Sequence, residues 1–407
     1  MYKFYLIFIL EVVFFLHASA QKKFLFDATK AETAGNADWI IDADHWNLDY
    51  TPNAHLGGNE ANAQRFPSPS QNNIHNNTSE TYWKGALSAW GIELVKRGYS
   101  VETLPYNGQI SYMNSSNAQD LSNYDVFVVC EPNIKFTSAE KLAILKFVKN
   151  GGGLFVIADH NNSDRNGDGY DSPFIWNDLM FNNSMVNNPF GFKFDYEFFN
   201  EFTNNIVNTT GNPITNGEYG KVTKVEFYGG TSMTLYPNAN GSVQGVVFKQ
   251  YASTSGTHKV MCAYASYGEG RVVALGDSSP ADDGSGDPHD NLYDGWLEDA
   301  NGNHRKLIMN GSVWLAEAYT SVREKEKNLS AIYTVIDENK LHFKLKQAIP
   351  VLDRARLTVY QMDGRCVEEK IIRLGSDKDF VVLKNHGVYV YRLFLNDGTI
   401  YSGKVLF

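Results

Sequence analysis

The chain has 407 residues, 43% of them hydrophobic and 14% aromatic, enough for a sizeable core in two or three units of ordinary domain size. Its formal net charge of -10 leaves no basic stripe to displace counterions from a phosphate backbone, which excludes sequence-independent binding to nucleic acid. Only a locally bound divalent cation would reverse that preference.

Residues 1–20, MYKFYLIFILEVVFFLHASA, set Lys3 ahead of an apolar stretch from Phe4 to Leu16, interrupted by Glu11, and end with Ala18 and Ala20 around Ser19. That is the pattern of a secretory signal peptide cleaved after Ala20, and the run is shorter than the ~20 residues that span a bilayer. No later stretch is apolar for long enough to cross a membrane, so the mature chain is expected to be secreted or attached to a cell surface. Cys130, Cys262 and Cys366 lie far apart and do not read as a disulfide framework. Cys130 ends DVFVVC and Cys262 lies in KVMCAYAS, positions that suit small buried strand residues.

From Lys23 onward, short apolar runs alternate with helical patterns: KKFLFD, ETYWKGALSAWGIELVKRG, YSVETL, DVFVVCEP, SAEKLAILKFVKNGG and GLFVIADH. Continuous apolar runs separated by amphipathic segments predict an α/β unit with a mostly parallel sheet covered on both faces. The helix over 137–149 opens with Thr137 or Ser138 ahead of Glu140 and stops at Gly151, as helix punctuation requires. After 174 the pattern loosens into an Asn- and Phe-rich region with β-like runs at 222–227, 231–236 and 244–251, read as an insertion decorating one end of the sheet. The core resumes with HKVMCAYASYGEGRVVALGDSS, two strands joined by a turn at Tyr267 to Gly270, and closes with the helix GNHRKLIMNGSVWLAEAY. The α/β domain thus spans 21–320.

Residues 321–330, SVREKEKNLS, are charged and aperiodic, as in a linker. Over 331–407 short strands recur with Asp363-Gly364 and Asp397-Gly398 as hairpin turns, which predicts a small antiparallel β-sandwich.

Two resemblances follow from these residues. The tail, with Asp363, Gly364 and Arg365 in its first hairpin and then Gly387, Tyr389 and Gly403-Lys404-Val405, resembles the type A C-terminal sorting domain of type IX secretion cargo. That resemblance implies the type IX machinery as a partner and export through the periplasm of a gram-negative cell, followed by release or surface attachment. The core, on VKNGGGLFVIADH and on GEGRVVALGDSS followed by HRKLIMNGSVWL, resembles the class I glutamine amidotransferase-like fold. The branch is the one holding trehalose-utilisation-type proteins and the domain of gliding and intraflagellar-transport proteins. It implies a flavodoxin-like, doubly wound sheet with a β-rich insertion. True amidotransferases place a nucleophilic Cys after the glycine-rich strand, where this chain has Asp159-His160, so the glutaminase reading falls away. A Ser elbow of the G-x-S-x-G type is likewise missing around 153–163.

In open α/β sheets, ligands bind beyond the carboxyl ends of the strands. Three runs end in Asp: Asp27 after KKFLF, Asp159 after GLFVIA and Asp277 after RVVALG. If the sheet pairs as the resemblance implies, these carboxylates meet on one edge beside His160, as an acid–base set or a cation site; each Asp singly could equally cap a turn. The adjoining Asp164, Asn166, Asp168 and Gly169 match D-x-N-x-D-G, the first half of a calcium loop. Position twelve is Ile175, so Asp171 or Asp178 would have to complete a Ca2+ shell. Between Asp277 and Asp299 lie eight carboxylates and no Lys or Arg, including Asp283, Asp287 and His289, in a loop that is either functional or merely solvated. Upstream, Asp38, Asp42, Asp44 and His45 stand among Trp39 and Trp46, aromatic faces that suit a sugar ring or a helical core edge. His304 opens the last helix of the core and could face a ligand or cap. No pattern calls for a nucleotide or an organic cofactor.

The expectation is therefore a hydrolase acting on a glycan or another extracellular substrate, with Asp159 and His160 as the acid–base or metal-ligating pair and Asp27 and Asp277 orienting them. The alternative is a non-catalytic carbohydrate- or protein-binding surface module using the same cleft.

Overall fold

The computed structural model describes residues 21–34, 37–41, 71–285, 294–299, 302–317, 332–345, 354–361, 365–374, 376, 378–395 and 400–407. The expected signal peptide and linker, Asp42, Asp44, His45, Trp46, Asp287, His289 and both Asp-Gly turns lie outside them. The chain divides into two compact units, Met1–Ala318 and Tyr319–Phe407.

The first unit is a mixed α/β structure. In chain order it runs β1 (Lys23–Asp27), a short hairpin of β2 (Thr33–Ala34) and β3 (Ala37–Asp38), α1 (Ser88–Lys96), β4 (Ser100–Leu104), β5 (Val126–Cys130), α2 (Ser138–Lys149), β6 (Gly153–Ile157) and α3 (Ser172–Phe181). The insertion supplies β7 (Phe192–Phe194), β8 (Phe199–Thr203), β9 (Asn216–Gly217), β10 (Gly220–Lys221), β11 (Val225–Gly230), β12 (Met233–Leu235) and β13 (Gln244–Phe248). β14 (Val260–Tyr267), β15 (Gly270–Leu275), α4 (Gly295–Glu298) and α5 (Asn303–Ala316) complete it.

A nine-stranded sheet runs in the order β4-β1-β5-β6-β15-β14-β12-β7, with β13 also paired to β14. The strands from β4 to β15 are parallel, and β14, β12, β7 and β13 add antiparallel pairs. Side chains of each strand alternate between two cores. Phe155 and Ile157 of β6 pack with Trp90 of α1 and Leu315 of α5, whereas Leu154 and Val156 pack with Phe147 of α2 and Trp176 of α3. Each such fully buried side chain contributes about 2 kcal/mol.

Local signals fix the helix ends. Thr137 and Glu140 form the reciprocal capping box the sequence predicts, and Gly151 follows α2 with φ 112°. The predicted helix from 80 begins only at Ser88, whose preceding residue Leu87 offers no side-chain cap; Asp283 reaches in from far along the chain to accept the Ala89 amide at 2.7 Å. The insertion differs from the expectation of a decoration, because β7, β12 and β13 extend the central sheet. The eight-residue β14 would otherwise present an unpaired edge. β8 and β11 form a separate antiparallel ribbon.

The second unit contains an antiparallel sheet of β16 (Ile332–Asp337), β17 (Lys340–Leu345) and β20 (Phe380–Val382). A further sheet joins β19 (Cys366–Arg373), β18 (Arg354–Gln361), β21 (Val388–Leu395) and β22 (Ile400–Leu406). Leu341 and Phe343 of the first sheet share a core with Leu357, Val359 and Tyr391 of the second.

Candidate functional site

The site begins with register. β5, β6 and β15 are neighbours, and Cys130 and Leu275 both pair with Ile157, so the three strands end level. The polar residues just past those ends are Glu131, Asp159 and Asp277, all buried. The sequence reading anticipated the last two and missed Glu131.

Glu131 is the most constrained of them. Its backbone sits in the left-handed region at φ 49°, which costs a non-glycine residue about 1 kcal/mol, and it is fastened by its own amide donating to the Ile157 carbonyl at 3.0 Å. Its Oε2 accepts from Trp39 Nε1 at 2.8 Å and Ser278 Oγ at 3.1 Å, and its Oε1 accepts from Arg165 Nε at 3.1 Å. Ser278 Oγ also stands 3.0 Å from Asp159 Oδ2, and Arg165 Nη2 lies 3.7 Å from the same oxygen. A serine hydroxyl carries one proton, so Ser278 can donate to only one of these two carboxyls at a time. Burial, reinforced by the neighbouring Asp159, pushes the Glu131 carboxyl well above the ordinary range, with Arg165 opposing.

Asp159 and His160 follow directly. The His160 amide donates to Asp159 Oδ1, and the ring's Nε2 is 3.7 Å from the same oxygen. Nδ1 is 2.7 Å from the Asn161 carbonyl, which only accepts, so Nδ1 carries a proton and Nε2 is the atom left to exchange one. Asp277 accepts from the Tyr228 and Ser279 amides, yet burial and the nearby Asp159 raise its carboxyl to about 8. An acid held protonated, a second carboxyl beside it and an imidazole with one open nitrogen can deliver and remove protons.

Asp27 makes no hydrogen bond to Glu131, Asp159 or Asp277 among the described residues. β5 and β6 stand between β1 and β15, which separates Asp27 from Asp277 by about 14 Å at the usual strand spacing. Asp27 instead lies against Glu32: burial raises both carboxyls, the Asp27 charge raises Glu32 further, and Lys30 and the hydrogen bond with Glu32 oppose the rise at Asp27. Trp39, expected as a stacking surface, is buried and spends its indole N–H on Glu131. His304 is structural, its Nε2 accepting the Glu226 amide at 2.9 Å and its Nδ1 donating to the Gly295 carbonyl at 2.9 Å. Asp283 caps α1 and does not line the edge beside Asp277. Cys130 is no hidden nucleophile, since burial and then Glu131 and Asp159 push its thiol upward.

The loop after His160 folds on its own carboxylates. Asp164 accepts the Asp168 and Gly169 amides at 3.2 and 2.7 Å, Asn166 accepts the Asp168 amide at 3.2 Å, and Asp168 accepts the Tyr170 amide at 3.0 Å. Asp171 does a different job from the other three. Its oxygens accept the Phe174 and Asn162 amides at 2.9 and 2.8 Å, capping α3 and fastening the loop. Among the described residues, no group of three or more His, Cys, Asp or Glu side chains is placed to hold a metal ion.

Signals for the missed residues exist in the sequence. Glu131 follows a continuous apolar strand run just as Asp159 and Asp277 do, and Ser278 is the next residue after Asp277. Arg165 is the basic residue within the acidic stretch SDRNGDG.

No known family and no curated protein matches the sequence. Among solved structures, the chain is similar to the mmIFT52 N-terminal domain at 12% identity and a TM-score of 0.39, covering 57% of this chain and 90% of that one. It is similar to a cytoplasmic protein from Salmonella typhimurium at 16% identity and a TM-score of 0.36, covering 57% and 88%. A ThuA-like protein from Parabacteroides merdae is similar at 12% identity and a TM-score of 0.32, covering 73% and 90%.

The raised carboxyls set a direction for stability. Asp277 in the folded chain holds a proton up to about pH 8, whereas the unfolded chain releases it near its ordinary value of 3.8. The folded state therefore binds more protons across this window, and stability falls as pH rises from about 4 to 8. Urea unfolding at intervals over that range should show the decline, and Asp277→Asn should reduce it without abolishing it, because Glu131 and Glu32 act in the same direction. A variant with the wild-type slope would remove Asp277 from the account.

Proposed function

We propose that the chain is a hydrolase working by proton transfer at the carboxyl edge of a flavodoxin-like, doubly wound sheet of the amidotransferase-like kind, on a glycan or another extracellular substrate. The observation that carries this reading is the buried pair Glu131 and Asp159, bridged by Ser278, gripped by Arg165 and adjoining His160. In this reading Glu131 is the proton reservoir, Asp159 and His160 Nε2 exchange protons with substrate and water, and Asp277 and Arg165 hold them in place. A screen of glycoside and ester substrates should find turnover that falls on the order of a hundredfold or more in Asp159→Asn and Glu131→Gln. Turnover equal to wild type in both variants would sink the assignment.

The depth of the pair favours a second reading. Asp159 is only 4% exposed, and its oxygens and those of Glu131 have internal partners, as in a non-catalytic carbohydrate- or protein-binding surface module. Binding of a substrate-class ligand with no turnover in the same screen selects it.

Two further parts of the proposal concern calcium and export. Asp164, Asn166 and Asp168 bring side-chain oxygens into one turn, and burial followed by the Asp164 charge raises the Asp168 carboxyl. A Ca2+ ion there would relieve that repulsion. EGTA should then lower the melting temperature of the wild type and leave Asp164→Ala unaffected; an unchanged wild-type melting temperature rejects the ion. For export, the signal-peptide pattern and the antiparallel tail support carriage by the type IX machinery as a gram-negative secreted or surface protein. In a host with that machinery, removal of residues 331–407 should strand the chain in the periplasm, and its appearance outside the cell would overturn the route.

A further inference from the structure

Beside the acids lies a surface the proposed chemistry does not use. β8 and β11 pair so that Phe202 faces Glu226 and Asn200 faces Tyr228. Residues directly opposite in an antiparallel pair share a face, and the pleat sends alternate residues to the other side. The inner face is buried by Phe199 stacked on Phe227 at 6.1 Å. The outer face leaves Phe202 61% exposed and Tyr228 56% exposed, with Phe198, of the same parity, 63% exposed at the ribbon's start.

This face starts at the site itself. Phe198 meets the His160 ring edge-on, with centroids 4.5 Å apart. Gly229, at φ 91°, a conformation that suits glycine, lies beside both residues of the site: a Cβ built on it would stand 3.4 Å from His160 Cδ2 and 4.0 Å from Asp159 Oδ1. The Tyr228 amide is the one that donates to Asp277. From Phe198 to Phe202 the row extends about 14 Å at the rise of a β-strand.

We infer that the outer face of this ribbon is a sugar-binding platform leading away from His160, on which Phe202 and Tyr228 stack against pyranose rings of an extended oligosaccharide. The inference rests on the hydrolase reading for its site and specifies the substrate class. Three features select sugar over a purely apolar partner. The rings alternate with hydrogen-bonding neighbours, Asn200 across from Tyr228 and Glu226 across from Phe202, which matches a ligand with C–H faces and hydroxyl edges. Lys224 lies 4.9 Å from the Phe202 ring centroid and 3.6 Å from Glu226, so a charged, hydrated pair stands at the ring rather than an apolar rim. Finally, the row is narrow and linear, one residue pair wide.

The test uses the full chain with Phe202→Ala and Tyr228→Ala combined; both side chains are exposed, so the core is untouched. Calorimetric titration with cellohexaose, xylohexaose, maltoheptaose and chitohexaose should show at least one binding the wild type, and the double variant binding it at least tenfold more weakly. Hydrolysis of nitrophenyl monosaccharides, which are too short to reach the ribbon, should be unchanged in the Phe202→Ala single variant. Equal binding by wild type and double variant, or no binding of any of the four sugars at millimolar concentration, overturns the platform. So does saturable binding of an apolar Phe- and Leu-rich peptide in place of the sugars. If the variant loses sugar binding while no preparation hydrolyses anything, the platform stands and the hydrolase reading falls; if Asp159→Asn loses turnover while the ribbon variant binds normally, the reverse holds.

Discussion

The level ending of β5, β6 and β15 is the constraint from which the site follows. In a parallel sheet the register of three neighbouring strands fixes the height of whatever comes next, and here each is followed by an acid. Carboxyls brought together out of water cannot all ionise. The fold answers with a set of donors from separate parts of the chain: the Trp39 indole, the Arg165 guanidinium, the Ser278 hydroxyl and the amides of Tyr228 and Ser279. Where donors fall short, burial keeps a proton on Glu131 and Asp277. The strained backbone at Glu131 belongs to the same arrangement, since that φ turns the chain out of β5 while the Ile157 carbonyl still receives its amide.

Much of the frame was readable because its causes are local. The capping box at Thr137 and Glu140, the tight turn between β14 and β15 and the continuous apolar runs of β1, β5, β6 and β15 depend on residues a few positions apart. Asp159 and Asp277 were readable for a related reason: a polar residue after a buried strand has to emerge at the sheet's edge. Glu131 satisfies the same rule, as the first polar residue after the buried run of β5.

What stayed hidden depends on strand order and long-range contact. Nothing near Asp27 says that β5 and β6 come between its strand and β15, so its membership of the group could not be excluded from the sequence. Asp171 sits within the acidic loop by spacing, but the start of α3 claims one of its oxygens and the Asn162 amide the other. Asp283 reaches α1 across some two hundred positions, and the insertion joins the sheet only because β14 offers it an edge. These are outcomes of tertiary pairing, which local propensity does not encode.

The ribbon and the acids are mechanically one piece. Asp277 accepts the Tyr228 amide, Ser279 Oγ donates to the Tyr228 carbonyl at 3.0 Å, and Thr231 donates its amide to Gly276 at 2.8 Å. The contact is so close that a Cβ on Gly276 would stand 2.0 Å from the Thr231 carbonyl oxygen, so only glycine fits there. A displacement of the ribbon would therefore move a donor of Asp277, the neighbour of Asp159. In a buried acid cluster, the donors that face each carboxyl help decide which one holds the proton. The insertion therefore both carries the exposed aromatic face and, through the Tyr228 amide, forms a wall of the acid cluster.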